Sequence, residues 1–425
     1  MRVATAVLTP PRTSLARLAR MTAAFAASDL VRGGIGFVTS LIVARGFGRD
    51  AFGQWTLCMA WASMLTVLFD LGFGVLLTRE AARGDRVGSL VVGGLIARFV
   101  LFAPVAIVVA WAGATRAGTN GVVTQNLDAV LALAAAGIAY GCVAAVYRAS
   151  PGALVGILAV ETVGALALGA GAATLIVRGG GTVADLLRLA AAVQAAQLAA
   201  ALAAWRLVAP GDRLERPALA RGWRFVKRAF PFAIAGIVAN AQARVGPILL
   251  GLLGTPGDVA SLGVALRLEG IARRLPSAAF GAALPVFSQE LERGRDTTLR
   301  VQFDGTLRAF TLVAAAALAV GAGPIVSFTY GASYATAALP LALAGIGLVP
   351  SLINAGRKVY LYAAGREMIV LRWSAVALVV QAVGCAALIP RFGAAGAIGA
   401  VVAAESAIWL PLRRAGAGAP ALTER

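Results

Sequence analysis

Twelve long apolar runs constrain this 425-residue chain more than any other feature. They fall at Met21 to Ala44, Ala51 to Leu77, Val87 to Ala112, Leu127 to Tyr147, Leu154 to Val177 and Val183 to Trp205. After a polar stretch they resume at Phe230 to Leu253, Val259 to Phe287, Leu307 to Phe328, Ala337 to Leu361, Ile369 to Ile389 and Ala394 to Leu412. A hydrocarbon core about 30 Å thick requires about 20 apolar residues of a helix. Inside it every backbone group must be bonded internally, so continuous runs of this length read as helices and not as the alternating strands of a barrel. With 13% charged residues, against about 25% in ordinary soluble domains, a soluble globular enzyme is excluded. The expected fold is all-α and polytopic, with twelve transmembrane helices.

The formal charge of +19 would suggest a nucleic-acid partner in a soluble chain, but the positions of the basic residues follow a membrane rule and argue for none. Cytoplasmic loops retain Lys and Arg. With both termini inside, cytoplasmic segments hold 22 basic residues and the opposite side 5, namely Arg45, Arg49, Arg116, Arg178 and Arg391; the other 11 lie within the spans. The expectation is a multi-pass protein of the inner (cytoplasmic) membrane with both termini cytoplasmic. Residues 1–20 lack a long apolar core and read as a cytoplasmic tail, not a signal peptide.

Histidine is absent, which removes the usual catalytic base and the commonest metal ligand. Cys58, Cys142 and Cys385 stand far apart inside apolar runs and read as small buried residues. No metal and no organic cofactor is expected.

The polar stretch 210–228 divides the chain almost in half. It is expected to be a cytoplasmic linker between a six-helix bundle at 21–209 and a second, pseudo-symmetric six-helix bundle at 229–412, followed by a cytoplasmic tail at 413–425. A faint repeat supports this, since Gly48 to Gly53 after span 1 has a counterpart in Gly254 to Gly263 after span 7. Parallel repeats of this kind place a substrate site between the halves.

Several segments together resemble the polysaccharide transporter family, the flippases for O-antigen and lipid-linked oligosaccharides within the multidrug/oligosaccharidyl-lipid/polysaccharide exporter superfamily. They are Leu41 to Leu57 (LIVARGFGRDAFGQWTL), Phe69 to Arg83 (FDLGFGVLLTREAAR), Tyr330 to Tyr334 (YGASY) and Ile389 to Ala403 (IPRFGAAGAIGAVVA), in the family's order across most of the chain. The resemblance implies a flippase without covalent chemistry. It would move an isoprenoid-diphosphate-linked saccharide across the cytoplasmic membrane by alternating access, for lipopolysaccharide or other cell-surface polysaccharide biosynthesis. The alternatives are a multidrug exporter of the same superfamily, or a membrane glycosyltransferase, polymerase or ligase; the longest outer loop, Gly113 to Asn126, carries no acid to serve the latter.

Charged side chains inside spans are costly, about 2.5 to 3.5 kcal/mol each on insertion scales, and normally face protein or water. Here the surplus is positive, which suits an anionic lipid diphosphate held by guanidinium forks better than a cationic drug. The substrate-binding candidates are Arg32, Arg98, Arg244, Arg267 and Arg274; the ion-coupling candidates are Asp29, Asp70 and Glu161. On span 8, Glu269 and Arg273 are four apart and expected to neutralise each other. Arg267 and Arg274 share the opposite face, to line a cavity or to pair with carboxylates from other helices. Asp29 and Arg32 form either a local ion pair or a switch coupling phosphate to H+ or Na+. The partners expected are the lipid-linked saccharide and membrane lipids; the oligomeric state is not readable.

Overall fold

Helices account for nearly all of the computed structural model, which describes residues 15–70, 72–82, 88–115, 121–149, 151–179, 181–205, 219–292 and 297–417; no strand occurs among them. In chain order they are α1 (Leu15–Gly46), α2 (Arg49–Asp70), α3 (Phe73–Ala82), α4 (Gly88–Thr115), α5 (Val122–Gln125), α6 (Leu127–Ala149), α7 (Pro151–Val177) and α8 (Val183–Ala203). The second half has α9 (Leu219–Leu253), α10 (Pro256–Glu292), α11 (Thr297–Thr329), a 3-10 turn at Ala332–Ala337, α12 (Ala338–Ala363) and α13 (Glu367–Ala417).

Local chemistry sets the ends. Thr182 caps α8 by accepting from the Asp185 amide at 3.2 Å while its own amide donates to the Asp185 carboxylate at 2.9 Å. Thr255 and Asp258 repeat this reciprocal cap on α10 at 3.2 and 3.1 Å. Pro151 and Pro256 open α7 and α10, where their missing N–H costs nothing.

Among the described residues, nine helices are long and apolar enough to cross a membrane. One of them, α13, holds two of the expected spans. Gly393 adopts φ 51° and ψ −127° inside it, and the chain folds back, so that the Cys385 thiol reaches the Ala397 carbonyl at 4.0 Å. Expected spans 1 and 8 correspond to α1 and α10, which at 32 and 37 residues have the length to span and are not among those nine. Expected span 2 is broken, because Gly72 at φ 72° separates α2 from α3. The linker expected at 210–228 is partly helical, since α9 begins at Leu219, and its first part lies outside the described residues. Helix is also present in part of both expected tails, from Leu15 and as far as Ala417; the remainder of those tails lies outside the described residues.

First-half and second-half helices meet chiefly where α1 and α2 pack on α10, and α2, α3 and α4 on α9. One end of this seam is closed tightly. Val43, Ala44, Phe52 and Trp55 share a core with Ala260, Val264, Leu268, Tyr330 and Tyr334. Tyr334 donates to the Ala44 carbonyl at 2.9 Å, and Tyr330 and Ser40 share a hydrogen bond of 2.9 Å. Arg49 reaches from α2 to the Gly257 carbonyl at 3.1 Å, Ser261 at 3.2 Å and Thr336 at 2.8 Å. Gly53 permits the contact, since a Cβ there would overlap the Pro256 carbonyl oxygen.

Candidate functional site: a cationic cleft between α1 and α10

Away from the closed end, α1 and α10 separate around a cavity of about 480 Å³ lined by Asp29 and Arg32 from one helix and Arg274 and Ser277 from the other. Arg32 is ion-paired with Glu161 of α7 and lies 3.5 Å from Asp29. Glu161, 8% exposed, also accepts from Arg148 at 2.6 Å and Tyr140 at 3.4 Å. Arg274 donates across the seam to the Asp29 carbonyl at 2.8 Å and approaches its carboxylate at 3.4 Å. Two carboxylates therefore hold three arginines, leaving positive charge in excess within a restricted space.

Two further arginines continue the stripe toward the closed end. Arg267, seven residues before Arg274, sits about 10 Å along the same helix. Its guanidinium lies 4.7 Å from the centroid of the Phe52 ring and 5.1 Å from that of Trp55, a cation–π arrangement. It also donates to Thr56 and the Gly263 carbonyl, each at 3.3 Å. Arg244 of α9 is partly buried, and its Nε is among the buried polar atoms without a hydrogen-bond partner. Neither Arg244 nor Arg267 has a carboxylate partner among the described residues.

The structure separates Arg98 and Asp70 from this group. Arg98 is 0% exposed, bonded to the Asp70 carboxylate at 2.7 Å, the Asp70 carbonyl at 3.0 Å and the Ile138 carbonyl at 3.2 Å. Its guanidinium also covers the Phe73 ring at 4.9 Å. Asp70 in turn accepts from the Gly74 amide at 3.3 Å. The pair fastens α4 to the α2–α3 break and is not among the residues lining the cleft.

Glu269 and Arg273 pair as expected, at 2.6 Å, and Arg273 also reaches Ser351 at 2.8 Å. Of the two alternatives for Arg274, it meets a carboxylate from another helix, Asp29 of α1, and it also lines the cavity. Tyr140, Arg148, Phe52 and Trp55 were not singled out as site residues. The Phe52/Trp55 spacing of three, which places both rings on one face of a helix, was the available signal.

The model of the family described as "Polysaccharide biosynthesis protein" matches residues 18–290. The chain belongs to that family. No curated protein matches it. Among solved structures it is similar to the lipid II flippase MurJ in an inward closed conformation, with TM-score 0.75, 13% identity, and coverage of 93% of this chain and 88% of that one. A multidrug resistance MATE transporter in an inward-facing conformation gives TM-score 0.70 at 13% identity, over 92% and 96% of the two chains. A transporter of the same superfamily from Pyrococcus furiosus, described as having a binding pocket of reversed polarity, gives 0.62 at 12% identity, over 94% and 95%. The fold is that of these solved structures, and its long apolar helices make the chain a multi-pass membrane protein.

Proposed function

We propose that this transporter is a flippase for an isoprenoid-diphosphate-linked saccharide, carrying it from the cytoplasmic to the outer leaflet of the inner membrane for O-antigen or related surface polysaccharide assembly. One observation carries the reading: among the described residues five arginines, Arg32, Arg148, Arg244, Arg267 and Arg274, surround the α1–α10 seam against only Asp29 and Glu161 in contact with them. A diphosphate supplies the missing negative charge, and guanidinium forks hold it bidentately. A cationic drug would meet repulsion in the same space.

Transport needs no bond making. The diphosphate displaces Asp29 and Glu161 from Arg32 and Arg274, which weakens the α1–α10 contact and frees a carboxylate to take up H+ or Na+. Opening of the Arg49 end then exposes the cleft to the other side. An anionic headgroup leaving a negative interior gains about 2.3 kcal/mol per charge per 100 mV, so the potential favours export.

Orientation is tested with cysteines at Arg178 and Glu367. An impermeant reagent added outside intact cells labels R178C and spares E367C; the converse inverts the topology. Substrate class is tested by native mass spectrometry of protein purified in mild detergent. Retention of polyprenyl-diphosphate saccharides in preference to bulk phospholipid supports the proposal, and retention of cationic amphiphiles instead overturns it.

A further inference from the structure

The headgroup cleft has an apolar neighbour. A second cavity of about 500 Å³ lies between α10 and α11, lined by Ala279, Ala283, Val286 and Phe287 on α10 and by Phe303 and Phe310 on α11. Gln302 and Thr306 supply its polar side chains. Leu275 belongs to both cavities. At 100° per residue, Ile271, Arg274 and Ala278 face the cleft, whereas Ala279, Ala283 and Val286 face the groove, about a third of a turn round the same helix. Leu275 forms the ridge between them and is 66% exposed. A molecule that crosses it needs an anionic group on one side and an apolar chain on the other.

We infer that the groove between α10 and α11 holds the isoprenoid chain of the substrate while its diphosphate lies at Arg32 and Arg274. The inference rests on the flippase reading and extends it to the lipid end. The groove runs along α10 from Leu275 to Phe287, away from the closed end, so the chain lies alongside the opening through which the headgroup enters. Its lining is almost wholly apolar and it joins the arginine-lined cleft at Leu275, which suits an apolar chain carried by a diphosphate headgroup. The groove gives the transporter a means of selecting its lipid carrier independently of the sugar.

The test compares dissociation constants in nanodiscs for a long-chain polyprenyl diphosphate, geranyl diphosphate and phosphatidylglycerol. Wild-type protein should prefer the long chain over geranyl diphosphate by about tenfold or more, since each buried methylene contributes. Ala279→Trp and Thr306→Trp, both at exposed positions in the groove, should abolish that preference by weakening long-chain binding more than geranyl diphosphate binding. Val313→Trp, on an exposed part of α11 outside the groove, should keep it. If a tryptophan variant fails to fold, a photo-crosslinking residue at Ala279 replaces it, and should capture the long chain where one at Val313 does not. Full preference in both tryptophan variants, or equal capture at the two positions, overturns the groove alone. No wild-type preference for polyprenyl diphosphate over phosphatidylglycerol overturns the flippase reading together with it.

Discussion

The guanidinium of Arg274 fills the space where a side chain on Gly33 would begin: a methyl there would overlap its central carbon. From that position Arg274 donates to the Asp29 carbonyl at 2.8 Å, joining α10 to α1 across the seam. The bare backbone at Gly33 is what lets the two helices be linked by a side chain that can also swing away. Gly33→Ala should displace the end of a flexible side chain and leave the fold intact, with a melting temperature in detergent close to wild type. Spin labels on α1 and α10 should report a wider cleft; an unchanged distance would show that Arg274 does not hold it closed.

Arg98 is placed differently, fully buried in an ion pair with Asp70. Removing one partner of a buried ion pair strands the other, at a cost of about 3 to 5 kcal/mol. The lower part of that range applies here, since Asp70 retains 33% exposure. Arg98→Ala should therefore lower the melting temperature strongly, whereas Arg274→Ala should not. Thermal unfolding of the two purified variants decides between these roles.

At the closed end, Gly53 meets the backbone of Pro256 and not a movable side chain. Gly53→Val should prevent closure, and Arg49→Ala should weaken it by removing three hydrogen bonds. In both, a cysteine placed at Ala44, 1% exposed at this end, should react faster with a water-soluble maleimide. The native cysteines are buried and contribute little background. Unaltered reactivity in both variants would contradict the assignment of this end as a gate.

Glu161 holds Arg32 and Arg148 together, which makes it a better-connected coupling candidate than Asp29, at 58% exposure. Glu161→Gln should retain folded protein and abolish any dependence of flipping on pH or Na+, while Asp29→Asn should change it less. Measuring flipping across a pH series, with and without Na+, ranks the two; an undiminished dependence in the Glu161 variant dismisses it as the coupling group.

Much of the architecture was legible because lipid solvation imposes a length and a hydropathy on each span. The charged spans 1 and 8 stood out for the same reason, and Glu269 with Arg273 followed from helical spacing alone. What the sequence could not show was which helices face one another. Arg98 and Arg274 look alike as arginines in apolar runs, yet one is locked under Asp70 and the other crosses the seam to Asp29. Arg267 depends on Phe52 and Trp55 from more than two hundred residues earlier, a contact that no local pattern encodes. The α2–α3 break escaped because Gly72 interrupts the helix without interrupting its apolar character.

The central claim, that the arginines of the seam bind a diphosphate, is tested most directly by the leaflet distribution of lipid-linked saccharide in cells carrying Arg32→Ala, Arg244→Ala, Arg267→Ala or Arg274→Ala, each beside its lysine counterpart. Lysine keeps the charge without the planar fork, and alanine loses both. With an impermeant lectin or sugar-oxidising probe, the alanine variants should show the saccharide retained on the cytoplasmic leaflet by folded protein, and the lysine variants partial export. Wild-type distribution in all four alanine variants would contradict the cationic-cleft mechanism.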